Sequence, residues 1–225
     1  MRNTILLLGA LSSSACGSKQ PEADTEAHKL AAEPAALGAQ GDSTSGNATK
    51  MLFLDVHDLG PGKVTAQDVA KAHQKDLATE GQYGVDFKAY WFDEQAGKIY
   101  CLAEAPSAET TTAVHQTAHG LVANEIMEVA ADNSSWLPSY GRKLYLDVHH
   151  LGAGKVSAQD VAAAHVKDLA AEAPHDVKYL NYWFDAKSGT VMCLSEAPSA
   201  EAAIAVHQQA HGLIPDSIEQ VSEGR

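Results

Sequence analysis

The sequence predicts an α+β protein in which two tandem ferredoxin-like repeats, each of βαββαβ order, pack as a pseudo-dimeric α/β barrel. Two observations predict this fold class. The segment LFLDVHDLGPGKVTAQDV at Leu52 returns as LYLDVHHLGAGKVSAQDV at Leu144, an offset of 144 − 52 = 92 residues that never slips. Within each copy, the apolar pattern changes between the strand period and the helix period in the order β-α-β-β-α-β. Two helices cover one face of such a sheet, so the open faces of the two copies are expected to meet.

The first half of the repeat predicts a strand and a helix. Leu52 to Val56 alternates apolar and polar residues, and the glycine- and proline-containing segment from His57 to Gly62 interrupts it. Thr65 is a suitable N-cap, and Asp68 stands three positions later, where an acidic side chain favours a helix N-terminus. The helix is expected to run to about Glu80.

The second half predicts a hairpin, a helix and a last strand. The hairpin strands run from Asp86 to Asp93 and from Lys98 to Ala105, and a turn that ends in glycine joins them. A second helix begins at Ser107 and ends at Gly120, because glycine suits the left-handed position after a helix. The last strand is expected near Glu125 to Val129.

Strand alternation divides the side chains of the sheet into two faces. One face collects Leu54, Val56, Tyr90, Phe92 and Leu102. The other collects Asp55, His57, Trp91 and Cys101. The second set is too aromatic for a free surface and too polar for an ordinary core, so it predicts an interface between the repeats that encloses a pocket. Trp136 and Tyr140 of the connector are expected to seal its rim. Two repeats that pack only weakly are the alternative.

Composition narrows the range of partners. The chain has 225 residues, 45% of them hydrophobic, and a formal net charge of −13. This acidity argues against a nucleic acid as partner and favours cations. No apolar run approaches the roughly 20 residues of a membrane-spanning helix.

The N-terminus predicts export. Arg2 precedes the apolar stretch from Ile5 to Leu11, and small residues lead to Ala15 and Cys16. This arrangement resembles the lipobox of bacterial lipoproteins, which implies lipidation of Cys16 and a membrane contact through the lipid alone. The protein is then expected at the periplasmic or outer face of a bacterial envelope membrane. Cleavage after Ala15 without lipidation is the alternative, and it also places the mature chain outside the cytoplasm.

The predicted organisation has five parts. They are a signal peptide with lipobox (1–16), a disordered tether (17–50), the first repeat (51–130), a connector (131–142) and the second repeat (143–222).

Histidines are the main candidates for chemistry. His115 and His119 are four residues apart, so both imidazoles lie on one face of the second predicted helix, where they can hold one transition metal ion if further ligands join. The glutamate of the zinc-protease motif is absent between them, so metal-dependent hydrolysis is not indicated. His57 stands where the first strand ends, and it is expected at the same edge of the sheet as His119, where the second helix ends. The equivalent candidates in the second repeat are His207, His211 and His149.

His73, with its counterpart His165, has two interpretations. It can be a metal ligand, or a partly buried histidine that hydrogen-bonds to a neighbour. Asp76 follows it at i+3 and is expected to orient its imidazole.

Weaker ligand candidates are Cys101, Glu104, Cys193 and Glu196. The two cysteines are also compatible with inert buried thiols or with one intramolecular disulfide. The two glutamates are also compatible with helix capping or with an acid/base role.

Four motifs occur in the same order in both copies: A-x-x-A-H-x-x-D-L, Y-W-F-D, C-L-x-E-A-P-x-A-E and V-H-x-x-A-H-G-L. Together they resemble small bacterial nickel-binding proteins with a ferredoxin-like fold, whose members commonly pair as dimers. The resemblance implies a covalently fused dimer and Ni(II) binding, and it does not imply catalysis.

The leading hypothesis is an exported, non-enzymatic protein, monomeric as a chain, that binds a divalent transition metal ion of the nickel type at the cell envelope. Imidazole and carboxylate donors bind Cu(II) more tightly than Ni(II), so the pattern does not select the metal. A small-molecule enzyme or carrier is the alternative, with His57, Trp91 and Cys101 lining a pocket between the sheets. A structural module whose histidines are fully hydrogen-bonded within the protein is the third.

Overall fold

The computed structural model describes residues 49–131 and 141–225. The predicted signal peptide, nearly all of the tether, Cys16, Trp136 and Tyr140 lie outside these residues. The first repeat consists of β1 (Met51–Asp58), α1 (Ala66–Thr79), β2 (Asp86–Asp93), β3 (Lys98–Ala105), α2 (Ala108–Ala118) and β4 (Glu125–Glu128). The chain continues with β5 (Ala130–Ala131), β6 (Leu144–His150), α3 (Ala158–Ala171), β7 (Lys178–Asp185), β8 (Thr190–Glu196), α4 (Ala200–Ala210) and β9 (Ser217–Gly224). The predicted α+β class and the tandem βαββαβ order are confirmed.

Local sequence signals begin and end the helices as expected. The Thr65 side chain accepts a hydrogen bond from the backbone N–H of Asp68 at the start of α1. Ser107 and Thr110 form a reciprocal capping box at the start of α2. After α2, Gly120 has a φ of +79°, the left-handed conformation that glycine adopts without steric cost. Within the described residues, no helix is long and apolar enough to cross a membrane.

One antiparallel sheet of nine strands joins the repeats in the order β4-β1-β3-β2-β9-β6-β8-β7-β5. Strand β9 pairs with β6 of its own repeat and with β2 of the first repeat, where Trp91 lies opposite Glu223. Strand β5 follows β4 after a single residue and pairs with β7, with Ala131 opposite Trp183. Each repeat therefore ends in a strand that crosses to the other repeat, and the sheet curls into a nearly closed barrel.

Apolar side chains fill the inside of the barrel. The ring centroids of Trp91 and Trp183 lie 4.9 Å apart. Around them pack buried aliphatic side chains from both repeats, namely Leu54, Leu102, Leu146, Val148, Leu194 and Val221. This packing is the shared core that two small repeats need, because neither repeat buries the open face of its strands alone.

The predicted division of faces is wrong. Asp55, His57 and Cys101 lie under the helices, whereas Trp91 points into the barrel. The reason is register: residues directly opposite each other on antiparallel strands share a face, and Trp91 lies opposite Tyr100. Alternation within one strand does not reveal this relation between strands.

Two further clusters lie between the sheet and the helices, one in each repeat. In the first repeat the cluster includes Phe53, Val69, Tyr90, Cys101 and Val114. In the second it includes Tyr145, Val161, Tyr179, Cys193 and Val206. Cys101 and Cys193 are buried free thiols in these separate clusters, so the structure contradicts a disulfide between them.

Candidate metal centre

A line of buried polar side chains crosses the layer under the helices in each repeat. Asp55 comes from the helix-facing side of β1, Asp76 from the inner face of α1 and His115 from the inner face of α2. These three side chains are between 1% and 3% exposed. Their meeting point is therefore set by the packing of both helices on the sheet.

His115 contacts a carboxylate with each ring nitrogen. Its Nε2 lies 3.0 Å from Asp55 Oδ2, and its Nδ1 lies 3.1 Å from Asp76 Oδ1. His119 Nε2 lies 3.1 Å from the same Asp76 oxygen. At the other end of the line, His57 Nε2 lies 3.3 Å from Asp55 Oδ1.

The second repeat has the same arrangement. His207 Nε2 lies 3.2 Å from Asp147 Oδ2, and its Nδ1 lies 3.1 Å from Asp168 Oδ1. His211 Nε2 is 3.1 Å from Asp168, and His149 Nε2 is 3.2 Å from Asp147. The two repeats therefore hold two nearly identical sets of donor atoms.

The line is strongly polarised in the metal-free protein. Burial opposes the charged form of His115, but the hydrogen bonds that its ring N–H groups donate to Asp55 and Asp76 outweigh it and raise the pKa of His115 to about 10. Burial also raises the pKa of Asp55, yet the hydrogen bond from His115 and the neighbouring His57 lower it to about 2. An imidazolium therefore lies between two carboxylates.

The pKa of the buried Cys101 thiol is raised, whereas that of the neighbouring Asp55 carboxyl is lowered. Burial, together with the negative charges of Asp55 and Asp76, raises the pKa of the Cys101 thiol well above its usual value. Cys193 in the second repeat is affected in the same way by burial, Asp147 and Asp168. Both are protonated, unreactive thiols unless a metal ion displaces the proton.

A small cavity opens beside this line in each repeat. Its volume is about 30 Å³ in the first repeat and about 120 Å³ in the second. In the first repeat the histidine, aspartate and cysteine residues that line it are His57, His73, Asp76, Cys101, His115 and His119. Their counterparts around the second cavity are His149, His165, Asp168, Cys193, His207 and His211. All eight histidines singled out in the sequence thus border a cavity.

His73 is placed differently from the prediction. Asp76 bonds His115 and His119 rather than orienting His73. The His73 ring instead lies 4.6 Å from the Tyr90 ring, and its Nδ1 has no hydrogen-bond partner among the described residues. Burial lowers the pKa of His73, so its imidazole is neutral and free to act as a ligand.

The two glutamates do not join the cluster. Glu104 forms an ion pair with Lys88 at 3.1 Å near the end of β3, away from the histidines. Glu196 is buried at the equivalent end of β8, and its Oε1 has no hydrogen-bond partner in the described part of the chain. Neither belongs to the groups of converging donor atoms.

Sequence reasoning named Asp55 and Asp76 but did not recognise them as donors of this site. It placed Asp55 on the face of His57 and Cys101, and it assigned Asp76 to His73. Asp55 and Asp147 stand in the repeated segment L-D-V-H, two residues before a candidate histidine. Alternation alone places this aspartate and that histidine on the same face of a strand. That pairing was the available signal.

Two donor groups in each repeat are compact enough to hold a metal ion. The outer group is Asp76, His115 and His119, and the inner group is Asp55, His57, Cys101 and His115. In each group, one donor atom per residue lies within 4.8 Å of all the others. The second repeat repeats the outer group as Asp168, His207 and His211, and the inner group as Asp147, His149, Cys193 and His207.

The donors fit a transition metal ion. Imidazole, carboxylate and thiolate ligands suit the later divalent metals rather than calcium or magnesium. Oδ1 of Asp55 and Oδ1 of Asp147 are buried, and each has only a long contact with a histidine Nε2, at 3.3 Å to His57 and 3.2 Å to His149. Such buried acceptors are costly unless something positive meets them.

The fold and the site together define a pseudo-dimeric ferredoxin-like barrel that carries a cluster of histidine, aspartate and cysteine donors in each repeat. The sequence matches the family described as nickel responsive protein SCO4226-like over residues 53–129 and again over 145–221. The chain therefore belongs to this family, and the resemblance inferred from the four motifs is confirmed. No curated protein sequence matches the chain significantly.

Solved structures with related features include SCO4226 from Streptomyces coelicolor A3(2). It is 41% identical over 39% of this chain and 99% of its own, with a TM-score of 0.33. A mutant chlorite dismutase from Candidatus Nitrospira defluvii is 10% identical over 79% of this chain and 92% of its own, with a TM-score of 0.44. A heme-binding protein from Thermus thermophilus is 6% identical over 78% and 91%, with a TM-score of 0.41. All three scores are below 0.5, so the family assignment rests on the sequence match.

Proposed function

We propose that this protein binds a divalent transition metal ion of the nickel type in each repeat and acts without catalysis at the bacterial cell envelope. The observation that carries the proposal is the outer group. His115 Nδ1 and His119 Nε2 each lie 3.1 Å from the same oxygen of Asp76, at the wall of a cavity. Membership of a nickel-responsive family supports it.

The surroundings of the outer group suit a cation. Asp55 contacts the far nitrogen of His115, as carboxylates commonly do for histidines that bind metals, where they fix the tautomer and the ring orientation. His73 adds a neutral imidazole to the same cavity. A bound ion would supply the positive charge that the His115 imidazolium supplies between the carboxylates without metal.

Calorimetric titration of the metal-free full chain with Ni(II), Cu(II) and Zn(II) tests this function. We expect micromolar or tighter Ni(II) binding, weakened tenfold or more by His119→Ala combined with His211→Ala, since even the partners that support ligands contribute about 10- to 100-fold in affinity. His175→Ala is the matched control, because that imidazole bonds Gln209 away from the cluster. Absence of micromolar binding, or equal binding by the double variant, would contradict the proposal.

A binding role is favoured over catalysis by two features. The barrel interior, the suggested pocket of the alternative hypothesis, is packed with Trp91, Trp183 and aliphatic side chains. His57 and Cys101, which that hypothesis placed in the pocket, lie under the helices instead. The two buried cysteines do not act as activated nucleophiles either, because their raised pKa values keep the thiols protonated.

The envelope location is supported by the N-terminal sequence. The charged start, the apolar stretch from Ile5 to Leu11 and Cys16 match an exported lipoprotein. Fractionation of cells that express the full chain should recover it with membranes, and Cys16→Ser should release it in soluble form. Recovery of the unchanged chain in the cytoplasm would refute export.

A further inference from the structure

We propose that the inner group of each repeat is a second metal site, alternative to the outer group at the shared histidine, and that it is a closed tetrahedral site of the zinc class that includes the cysteine thiolate. The proposal goes beyond the nickel function because it rests on different donor atoms. It concerns Asp55, His57, Cys101 and His115, with their counterparts Asp147, His149, Cys193 and His207.

The first supporting observation is the convergence of four donors from three elements. Strand β1 supplies Asp55 and His57, β3 supplies Cys101 and α2 supplies His115. Their donor atoms lie within 4.8 Å of one another, and no residue of the set is more than 7% exposed. Asp55 and Cys101 lie directly opposite each other on paired strands, so they share a face. Four ligands without an open position are typical of structural zinc sites.

The second observation is the carboxylate oxygen that faces His57. Asp55 Oδ1 is buried, and its contact with His57 Nε2 at 3.3 Å is long for a hydrogen bond. Asp147 Oδ1 and His149 Nε2 repeat this arrangement at 3.2 Å. Two ligands that are each about 2.0–2.1 Å from a tetrahedral zinc ion lie about 3.4 Å apart. The distances that these His–Asp pairs have without metal are therefore also those of two ligands of one zinc ion.

The chemistry of the donors names the class of metal. Two imidazoles, one carboxylate and one thiolate suit Zn(II), whereas Ni(II) favours nitrogen and oxygen ligands, which are the donors that the outer group offers. Binding replaces the thiol proton of Cys101 and the Nε2 proton of His115, and both protons leave to solvent. One dication then meets one carboxylate and one thiolate, which leaves no net charge in the buried site.

His115 connects the two groups but offers each a different atom. Its Nε2 faces Asp55 in the inner group, and its Nδ1 faces Asp76 in the outer group. With zinc on Nε2, the Nδ1–H donates to Asp76, so Asp76 takes the supporting role that Asp55 has for the outer group. Variants of Cys101 or of His119 therefore separate the sites, because each residue belongs to one group only.

Titration with Co(II), a coloured substitute for zinc, tests the inner site in the full chain carrying Cys16→Ser. We expect thiolate-to-cobalt charge-transfer absorption that saturates at two ions per chain. Cys101→Ser and Cys193→Ser should each halve the amplitude, and the double variant should abolish it. His119→Ala with His211→Ala should leave the absorption in place, and Zn(II) should bleach it by displacing cobalt.

The outcomes separate this site from the nickel function. Cobalt binding without charge-transfer absorption, or absorption that survives loss of both cysteines, overturns the inner site and leaves the nickel proposal standing. Charge-transfer absorption without nickel binding overturns only the nickel proposal. Far-UV circular dichroism checks that each variant is folded. If the double cysteine variant unfolds, the single variants decide, because each keeps one intact repeat and should show half of the charge-transfer absorption.

Discussion

His115 is the residue on which the site depends. It is 1% exposed and the only histidine of the first repeat whose two ring nitrogens both contact carboxylates. In the metal-free protein its positive charge offsets Asp55 and Asp76, which would otherwise be buried anions without a counter-charge. The same residue is thus part of the metal-free core and a donor to both metal groups.

Replacing His115 tests how much this residue contributes to the free energy of unfolding. In metal-free protein, His115→Ala should lower the free energy of unfolding by about 3–5 kcal/mol, because it removes the charged partner that two buried carboxylates share and leaves, of their histidine contacts, only that of Asp55 with His57 and that of Asp76 with His119. The raised pKa of His115 means that its stabilisation is complete below the unfolded value near 6.5 and is lost as pH rises through about 10. The difference between wild type and variant in urea denaturation should therefore shrink from pH 6 to pH 10.

His119→Ala is the matched comparison for this measurement. Asp76 is the carboxylate that His119 contacts, and the His119 side chain is more exposed than that of His115, so its loss leaves Asp76 still paired with His115. A destabilisation equal to that of His115→Ala, or a difference independent of pH, would show that His115 does not bridge the two carboxylates.

At the scale of the elements, much of the fold could be predicted from the sequence. The N-cap at Thr65, the hairpin between β2 and β3 and the end of α2 at Gly120 are local signals, and each lies where expected. Local signals act through the backbone within a few residues, so they survive without knowledge of the tertiary structure.

Long-range relations between elements could not be predicted in this way. His115 and Asp55 are 60 residues apart in the chain, and nothing near either residue indicates the contact. The face of Trp91 depended on its pairing with Tyr100 across the hairpin, which alternation along β2 leaves open. The histidine pair of α2 was therefore recognised, while its contacts with Asp55 and Asp76 were not predicted.

At the scale of the whole molecule, the two repeats are fused but no longer interchangeable. Glu219 of β9 accepts a hydrogen bond from the Tyr100 hydroxyl of β3, 2.6 Å away. It also forms an ion pair with Lys98, which lies on β3 as well. The position equivalent to Glu219 in the first repeat is Met127, since 219 − 92 = 127, and it is buried in the barrel core. Met192 likewise stands where the first repeat has Tyr100. The second repeat thus carries a carboxylate whose partners exist only in the first.

Separating the repeats tests this asymmetry. Fragments 49–131 and 141–225, produced separately and mixed, should form mainly a 1:1 complex, because a pair of second repeats would place Glu219 beside Met192 without a donor. Native mass spectrometry reads out the proportions. A statistical mixture of homodimers and heterodimers would contradict the asymmetry, and stable folded monomers would contradict the need for a shared barrel. Glu219→Met in the second fragment should move the mixture toward the statistical ratio.

The sequence by itself determined the doubling, the βαββαβ order, the helix boundaries and the pair of histidines on one helical face, because repetition, periodicity and capping are written in neighbouring residues. Only the tertiary structure decided which side of each strand faces the helices, which carboxylates meet His115 and which strand of each repeat crosses to the other. Those features depend on cross-strand register and on helix packing, which join residues that are distant in the chain. The candidate metal centre belongs to both levels: its histidines and aspartates are present in repeated sequence motifs, and the contacts between them form only when the helices pack on the sheet.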